Sequence, residues 1–284
     1  MSYMNVVIAI LLLNKNRVFL RYLNYAYLEQ SMIDRLKNVK LVRKLVYAVV
    51  GALTYPGLAL INRLTIIGSE HVKALPKSNV LFVSNHQTYF ADVMAFLHIF
   101  CAVRWRKKSK LGIPFYLLNP FVNVNFVAAE ETMKDNLLTK IFTLAGAITI
   151  KRTWRAAGKD IKREVDTNDF SKITEALSKR WVITFPQGTT KPFAPGRKGT
   201  AHIIKEMQPI VIPVVISGFW RAFNRKGLRF KKRGTELCVR FKPPLELNYE
   251  ESLDQILERI MDAIEQSSTY MMRGKHHVLS GPAL

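Results

Sequence analysis

Acidic residues are scarce in this sequence: 21 Asp and Glu stand against 43 Lys and Arg, a formal charge of +22 over 284 residues. Such an excess needs an anionic counterpart: nucleic acid, an anionic membrane face or a phosphate-bearing substrate. Cysteine is scarcer still. Cys101 and Cys238 lie far apart with no metal-ligand spacing around them, and read as ordinary thiols of a reducing compartment, not as a disulfide framework. The six histidines, at 71, 86, 98, 202, 276 and 277, form no His-Glu-x-x-His or similar pattern, so no metal site is expected. Internal repeats and low-complexity linkers are absent. No apolar run reaches the ~20 residues that cross a bilayer as a helix. The run at 4–13 is too short and ends at Asn14-Lys15-Asn16-Arg17 without a small-residue cleavage site, which disfavours a secretory signal. The run at 46–61 is broken by Gly51 and by Pro56-Gly57, where proline removes a helical hydrogen bond.

What is present is an apolar, basic N-terminus ahead of a well-patterned domain. Hydrophobic residues make up 49% of the chain, which excludes general disorder. Between the two short apolar runs, Arg35, Lys37, Lys40, Arg43 and Lys44 face the single acid Asp34. Apolar segments alternating with cations suit an in-plane anchor, with the apolar face among acyl chains and the cations at anionic head groups. We therefore expect membrane-anchoring helices over 1–62 and one domain over 63–284, against the plainer alternative that these are core helices. The anchor should be monotopic.

From residue 63 onward, short apolar runs recur at 64–67, 80–83, 146–150, 181–185, 210–216 and 237–241, separated by helical stretches such as 169–180. That alternation predicts an α/β domain with a central, mostly buried sheet flanked by helices. Leu253, Ile256, Leu257, Ile260, Met261 and Ile264 follow the spacing of an amphipathic helix that covers the core. The residues from about 272 on read as a loose tail. In the strand 209–214 the prolines favour a sheet edge.

Four segments carry possible chemistry. Asn85-His86-Gln87-Thr88-Tyr89-Phe90-Ala91-Asp92 places a histidine where a buried strand gives way to a helix, with a carboxylate six positions on. A base that takes a hydroxyl proton, and a partner that holds it in one tautomer, are what acyl transfer needs. Gly146-Ala147-Ile148-Thr149-Ile150-Lys151-Arg152 puts an arginine past an apolar strand, and Phe185-Pro186-Gln187-Gly188-Thr189-Thr190-Lys191 ends another in a turn rich in donors. Pro209-Ile210-Val211-Ile212-Pro213-Val214 follows. A His and an Asp at this spacing are weak alone; the ordered set is not.

With these blocks in order, residues 63–245 resemble the lysophosphatidic acid (1-acylglycerol-3-phosphate) O-acyltransferase-like family. Its blocks are Asn-His-x4-Asp, Gly-x-Ile-x-Ile-x-Arg, Phe-Pro-Glu-Gly-Thr-Arg and a Val-Pro-Val-type strand. The resemblance implies a glycerolipid-acyltransferase-like fold and a membrane enzyme of phospholipid synthesis. His86 would be the general base, Asp92 its partner, and Arg152, Gln187, Gly188, Thr189 and Lys198 would bind substrate. No bound cofactor is implied: acyl-CoA or acyl-carrier protein would be the donor, and a lysolipid, foremost 1-acylglycerol-3-phosphate, the acceptor. The expected location is the cytoplasmic face of the cell membrane, monotopic or peripheral.

The chain departs from the pattern twice. Ala91 stands at the expected Asp, making the spacing His-x5-Asp, and one residue turns a helical position by ~100°. Gln187 and Thr190 replace the family Glu and Arg. The second change keeps a lyso-amino-acid lipid open as acceptor, and a non-catalytic lipid-binding member of the family remains a further alternative. Two basic clusters, at 104–110 and 221–233, would meet an anionic ligand or membrane, the second interleaved with Phe219, Trp220, Phe223 and Phe230. Nothing resembles a nucleic-acid-binding motif, so no nucleic-acid partner is expected.

Overall fold

The computed structural model describes residues 32, 35–36, 39–106, 109–130, 137–151, 155–156, 159–160 and 167–272. The apolar run at 4–13, Arg152 and the tail from 273 on lie outside the described residues.

The short apolar runs become strands, and the central ones are buried on both faces. In β2 (Val80–Ser84) every residue is buried, with Val80 and Phe82 in one apolar cluster and Leu81 and Val83 in another. Alternate side chains of a strand point to opposite faces, so these clusters are the two faces of one sheet. With β1 (Arg63–Ile67), β3 (Val124–Ala129), β4 (Ala147–Ile150), β7 (Trp181–Thr184), β8 (Ile210–Ser217) and β9 (Glu236–Phe241), it forms a seven-stranded sheet ordered β1-β9-β8-β2-β7-β3-β4. All neighbours run parallel except β8 and β9. The two-residue strands β5 (Arg155–Ala156) and β6 (Lys159–Asp160) pair apart from it.

Strand β3 escaped the sequence reading because Asn123 and Asn125 interrupt its apolar run. Their amides are put to use: Asn123 donates to Lys77 O at 2.6 Å, and Asn125 donates to Gly146 O at 2.9 Å. Pro213 corrects another expectation. Its strand, β8, is not at an edge but lies between β9 and β2. Lys242 N donates to Pro213 O at 2.9 Å, just beyond the last rung of the β8–β9 ladder at Val214 and Phe241. The proline nitrogen therefore faces the side where pairing is ending, and the β2 ladder loses no donor.

One face of the sheet carries α5 (Thr167–Lys179), α6 (Lys198–Met207) and the amphipathic α8 (Leu253–Ala263), which begins with a Ser252/Gln255 capping box. The other carries α3 (Ala91–Arg104) and α4 (Leu137–Ala145); the short α2 (Glu70–Lys73) and α7 (Phe219–Ala222) complete the set. Every residue of α3 from Ala91 to Val103 is buried. An α-helix apolar all round must be covered on both sides. The sheet covers one side; α1 (Lys40–Tyr55) covers the other, and Pro56–Leu60 continues it as a π-helical turn that absorbs the missing proline N–H.

Polar side chains fasten α1 in place. Buried His98 is within 2.9 Å of both Thr54 Oγ1 and Tyr116 Oη, one through each ring nitrogen, and burial pushes its pKa down to about 4. Arg43 is a second correction. Expected at a head-group surface, it is buried, and its guanidinium donates to the carbonyls of Val124 and Ala145. Ala145 ends α4, where helix carbonyls are unpaired and favour a cation. Tyr47 donates to the same carbonyl at 3.2 Å, and burial pushes its phenol up to about 12.

Candidate active site

Parallel strands bring their C-terminal ends to one edge, and ligands of open α/β sheets collect there. β2 delivers Asn85 and His86 to that edge. Asn85 prolongs the sheet with its side chain, donating to Ile216 O at 2.9 Å and accepting from Ile216 N at 2.8 Å. The chain then turns through residues 86–90 before α3 starts at Ala91. That turn holds the extra residue of the His-x5-Asp spacing. It lets Asp92, at the second position of the helix, reach back to His86 Nδ1 at 3.0 Å.

The Asp92 carboxylate is completely buried and held from several directions. Its Oδ2 accepts from Gln87 N at 2.6 Å and Thr88 N at 3.0 Å, and its Oδ1 accepts from Thr88 Oγ1 at 2.7 Å. With Nδ1–H assigned as donor to this carboxylate, the lone pair sits on Nε2. No described residue hydrogen-bonds Nε2. The ring is clamped from its face by Phe185, with centroids 4.0 Å apart and planes 23° from parallel. Phe185 follows β7, the strand beside β2. It opens the Phe-Pro-Gln-Gly block, yet its role as platform was not legible there.

Neither did the sequence place residues 223–230. Phe223 and Phe230 pair as an isolated antiparallel bridge, and the hairpin between them rests on the histidine turn. Tyr89 N and Phe90 N donate to the carbonyls of Arg225 and Lys226 at 3.0 and 3.1 Å, and the Arg225 guanidinium lies 5.4 Å from the Tyr89 ring centroid. Gln87 Oε1 accepts from Phe219 N at 2.9 Å, tying the same turn to the end of β8. Gly227 is required here. Its φ is +78°, and a Cβ would stand 2.5 Å from Ala91 N. Part of the second basic cluster is thus built against the candidate base.

The remaining expected site residues are placed unequally. Gly188 has a φ of +61° and donates to Phe185 O at 2.9 Å, making the tight turn after β7. Thr189 Oγ1 accepts from Lys191 N at 3.3 Å. Gln187 is turned inward: its Nε2 donates to Ala194 O at 3.0 Å and to Gln266 Oε1 at 3.2 Å. Both partners are acceptors, so a glutamate in this rotamer would have no proton for either. Lys198 opens α6 and its ammonium pairs with Asp254 of α8 at 2.8 Å, not with the His86 cluster. Arg152 lies outside the described residues; β4, which leads towards it, ends three strands from β2 on the same edge. Cys101 and Cys238 are both free, and no group of three metal-binding side chains occurs among the described residues.

A doubly covered, largely parallel α/β sheet with a carboxylate-held histidine at its C-terminal edge is an arrangement for proton transfer to and from a substrate bound there. The chain belongs to the Acyltransferase family, whose pattern matches residues 63–217, and it is an acyltransferase. The match begins with β1 and ends with β8. Among solved structures, the 1-acyl-sn-glycerophosphate (LPA) acyltransferase PlsC from Thermotoga maritima is similar, at 16% identity and a TM-score of 0.49. The alignment covers 94% of this chain and 95% of that one. No curated protein matches.

Proposed function

We propose that the protein moves a fatty acyl group from acyl-CoA or acyl-carrier protein to the hydroxyl of a lysolipid, foremost 1-acylglycerol-3-phosphate, giving phosphatidic acid. The observation that carries this reading is the His86–Asp92 pair, with Nδ1 committed to a buried carboxylate and Nε2 left without a hydrogen-bond partner among the described residues. Nε2 accepts the proton of the acceptor hydroxyl as its oxygen bonds to the thioester carbonyl carbon. The tetrahedral intermediate then collapses, the C–S bond breaks, and the proton on Nε2 goes to the departing thiolate. Products are an ester and a free thiol, with no acyl-enzyme. Asp92 keeps Nδ1–H throughout and stabilises the imidazolium.

Cationic charge near the site suits phosphate on either substrate: Arg221 and Arg225 flank the aromatic rings of Trp220 and Tyr89. Membrane attachment is supported by α1, whose outward face exposes Leu41, Leu45, Val49 and Leu53 at successive helical turns. Among the described residues, no helix is long and apolar enough to cross a membrane. The test offers purified protein acyl-CoA and acyl-carrier protein with a panel of lysolipids, lyso-amino-acid lipids included, beside His86→Ala. Transfer to 1-acylglycerol-3-phosphate that His86→Ala abolishes is the expected result. Equal transfer by both proteins removes His86 from the chemistry, and transfer to lyso-amino-acid lipids alone replaces the acceptor.

A further inference from the structure

A second anion-seeking site lies at the opposite edge of the sheet. Residues that precede strands meet there: Lys77 ahead of β2, Asn123 ahead of β3 and Arg180 ahead of β7. Together with Lys40, Arg43 and Lys44 of α1 and Arg104 at the end of α3, they line a groove of about 630 Å³. A volume of this order lies within the range of small-ligand sites, ~300–1,000 Å³. β2 alone separates it from His86 by five residues, about 16 Å of strand at ~3.3 Å per residue. Neither His86 nor any residue of its turn lines the groove.

Among the described residues, no Asp or Glu lines this groove. Of the seven lining cations, only Lys179 has an ion-pair partner among the described residues, Glu175 at 2.8 Å. Lys44 is held by Asn119 Oδ1 at 2.5 Å, and the Arg104 guanidinium lies 5.4 Å from the Phe121 ring centroid. Like charges around a concave, low-dielectric wall raise the local anion concentration, and an anion in the groove would answer them.

The rim says what kind of anion. Lys40 and Lys44 alternate along α1 with Leu41 and Leu45, which are 76% and 65% exposed. Leu118, beside Asn119, is 82% exposed, and Trp105 is about half exposed. Cations set beside an apolar, outward-facing border match an amphiphile lying in a bilayer, phosphate in the groove and chains along the helix. A soluble phosphate would have no use for that border.

We propose that this groove binds the phosphate head group of an anionic bilayer phospholipid that is not the substrate, fixing the enzyme's orientation on the membrane. The proposal rests on the membrane-attachment reading above, and the experiment separates the two. Full-length protein is mixed with phosphatidylcholine vesicles, with and without phosphatidylglycerol, and compared with the Lys77→Gln/Arg104→Gln/Arg180→Gln variant. That variant leaves α1 intact.

Wild type should prefer the phosphatidylglycerol vesicles. Each cation removed should weaken that binding about fivefold, and the triple variant about a hundredfold. Binding to plain phosphatidylcholine, and acyl transfer to detergent-dispersed substrate, should not change. An undiminished preference in the triple variant overturns the groove while membrane attachment stands. Wild type that binds neither vesicle overturns the attachment reading itself. Loss of detergent-phase activity would make the groove part of the substrate site. A preference for an acidic carrier protein over phosphatidylglycerol vesicles, lost in the triple variant, would make the occupant a protein.

Discussion

Replacing Gly227 by alanine should damage catalysis without touching any group that meets substrate. Two effects separate cleanly here. Alanine at a φ of +78° is held in the left-handed region, which costs about 1–2 kcal/mol. For a domain of this size that corresponds to a fall of roughly 2–8 °C in Tm. The second effect is steric. The new Cβ would lie 2.5 Å from Ala91 N and 3.0 Å from both Ala91 Cβ and Thr88 Oγ1. Two of these atoms are backbone or backbone-fixed, so the hairpin or the turn must move. Thr88 Oγ1 is also the hydroxyl that donates to Asp92. A displacement of ~1 Å at the base lowers kcat by about a hundredfold. Gly234→Ala is the matching control, since its φ is +66° and nothing lies within 4 Å of its Cβ position. Steady-state kinetics and thermal melts of both variants decide the matter. Gly227→Ala should lose kcat and Tm, Gly234→Ala only Tm. Equal kcat losses in the two, or undiminished kcat in folded Gly227→Ala, would refute the claim that the hairpin positions the histidine turn.

Two further outcomes follow from the same geometry. Asp92→Asn can still accept from His86 and from the Gln87 and Thr88 amides while donating to Thr88 Oγ1, so Tm and KM should change little; kcat should fall by about 10²–10⁴ for want of the negative charge beside the imidazolium. Unchanged kcat would remove Asp92 from the mechanism. His98 binds a proton less readily when folded (pKa about 4) than when unfolded (6.5), so its stabilisation is complete above pH 6.5 and is lost as the pH falls towards 4. The full loss is about 3 kcal/mol, and urea titrations between pH 7 and 4 should show a shallower decline in His98→Gln; parallel curves would contradict it.

Much of the fold could be read from the sequence because parallel strands buried on both faces leave uninterrupted apolar runs. The reading failed where polar side chains serve the backbone. Asn123 and Asn125 hid β3, and Arg43 looked like a surface cation although two buried carbonyls claim it. Pro213 suggested an edge, but its strand is interior at the one rung where a donor is dispensable. At the site, His86 and Asp92 were visible as residue types, but whether they meet depends on one extra residue in a turn. Phe185 and the 223–230 hairpin reach His86 and its turn from about 100 and 140 positions away, and no local pattern records a contact of that separation. Gln187 shows the converse. Its departure from the family Glu read as a change of specificity, whereas the amide also has two internal acceptors to satisfy.

The sandwiching of α3 between the sheet and α1 bears on how the chain can be cut. A fragment that starts at residue 63, where the family match begins, would strip α1 from Met94, Leu97, His98 and Cys101, leaving that side of α3 bare. Such a fragment should aggregate, and its behaviour would report on a torn core, not on the loss of a membrane anchor. The informative truncation stops short of Lys40, keeps α1, and asks only what the first 39 residues add.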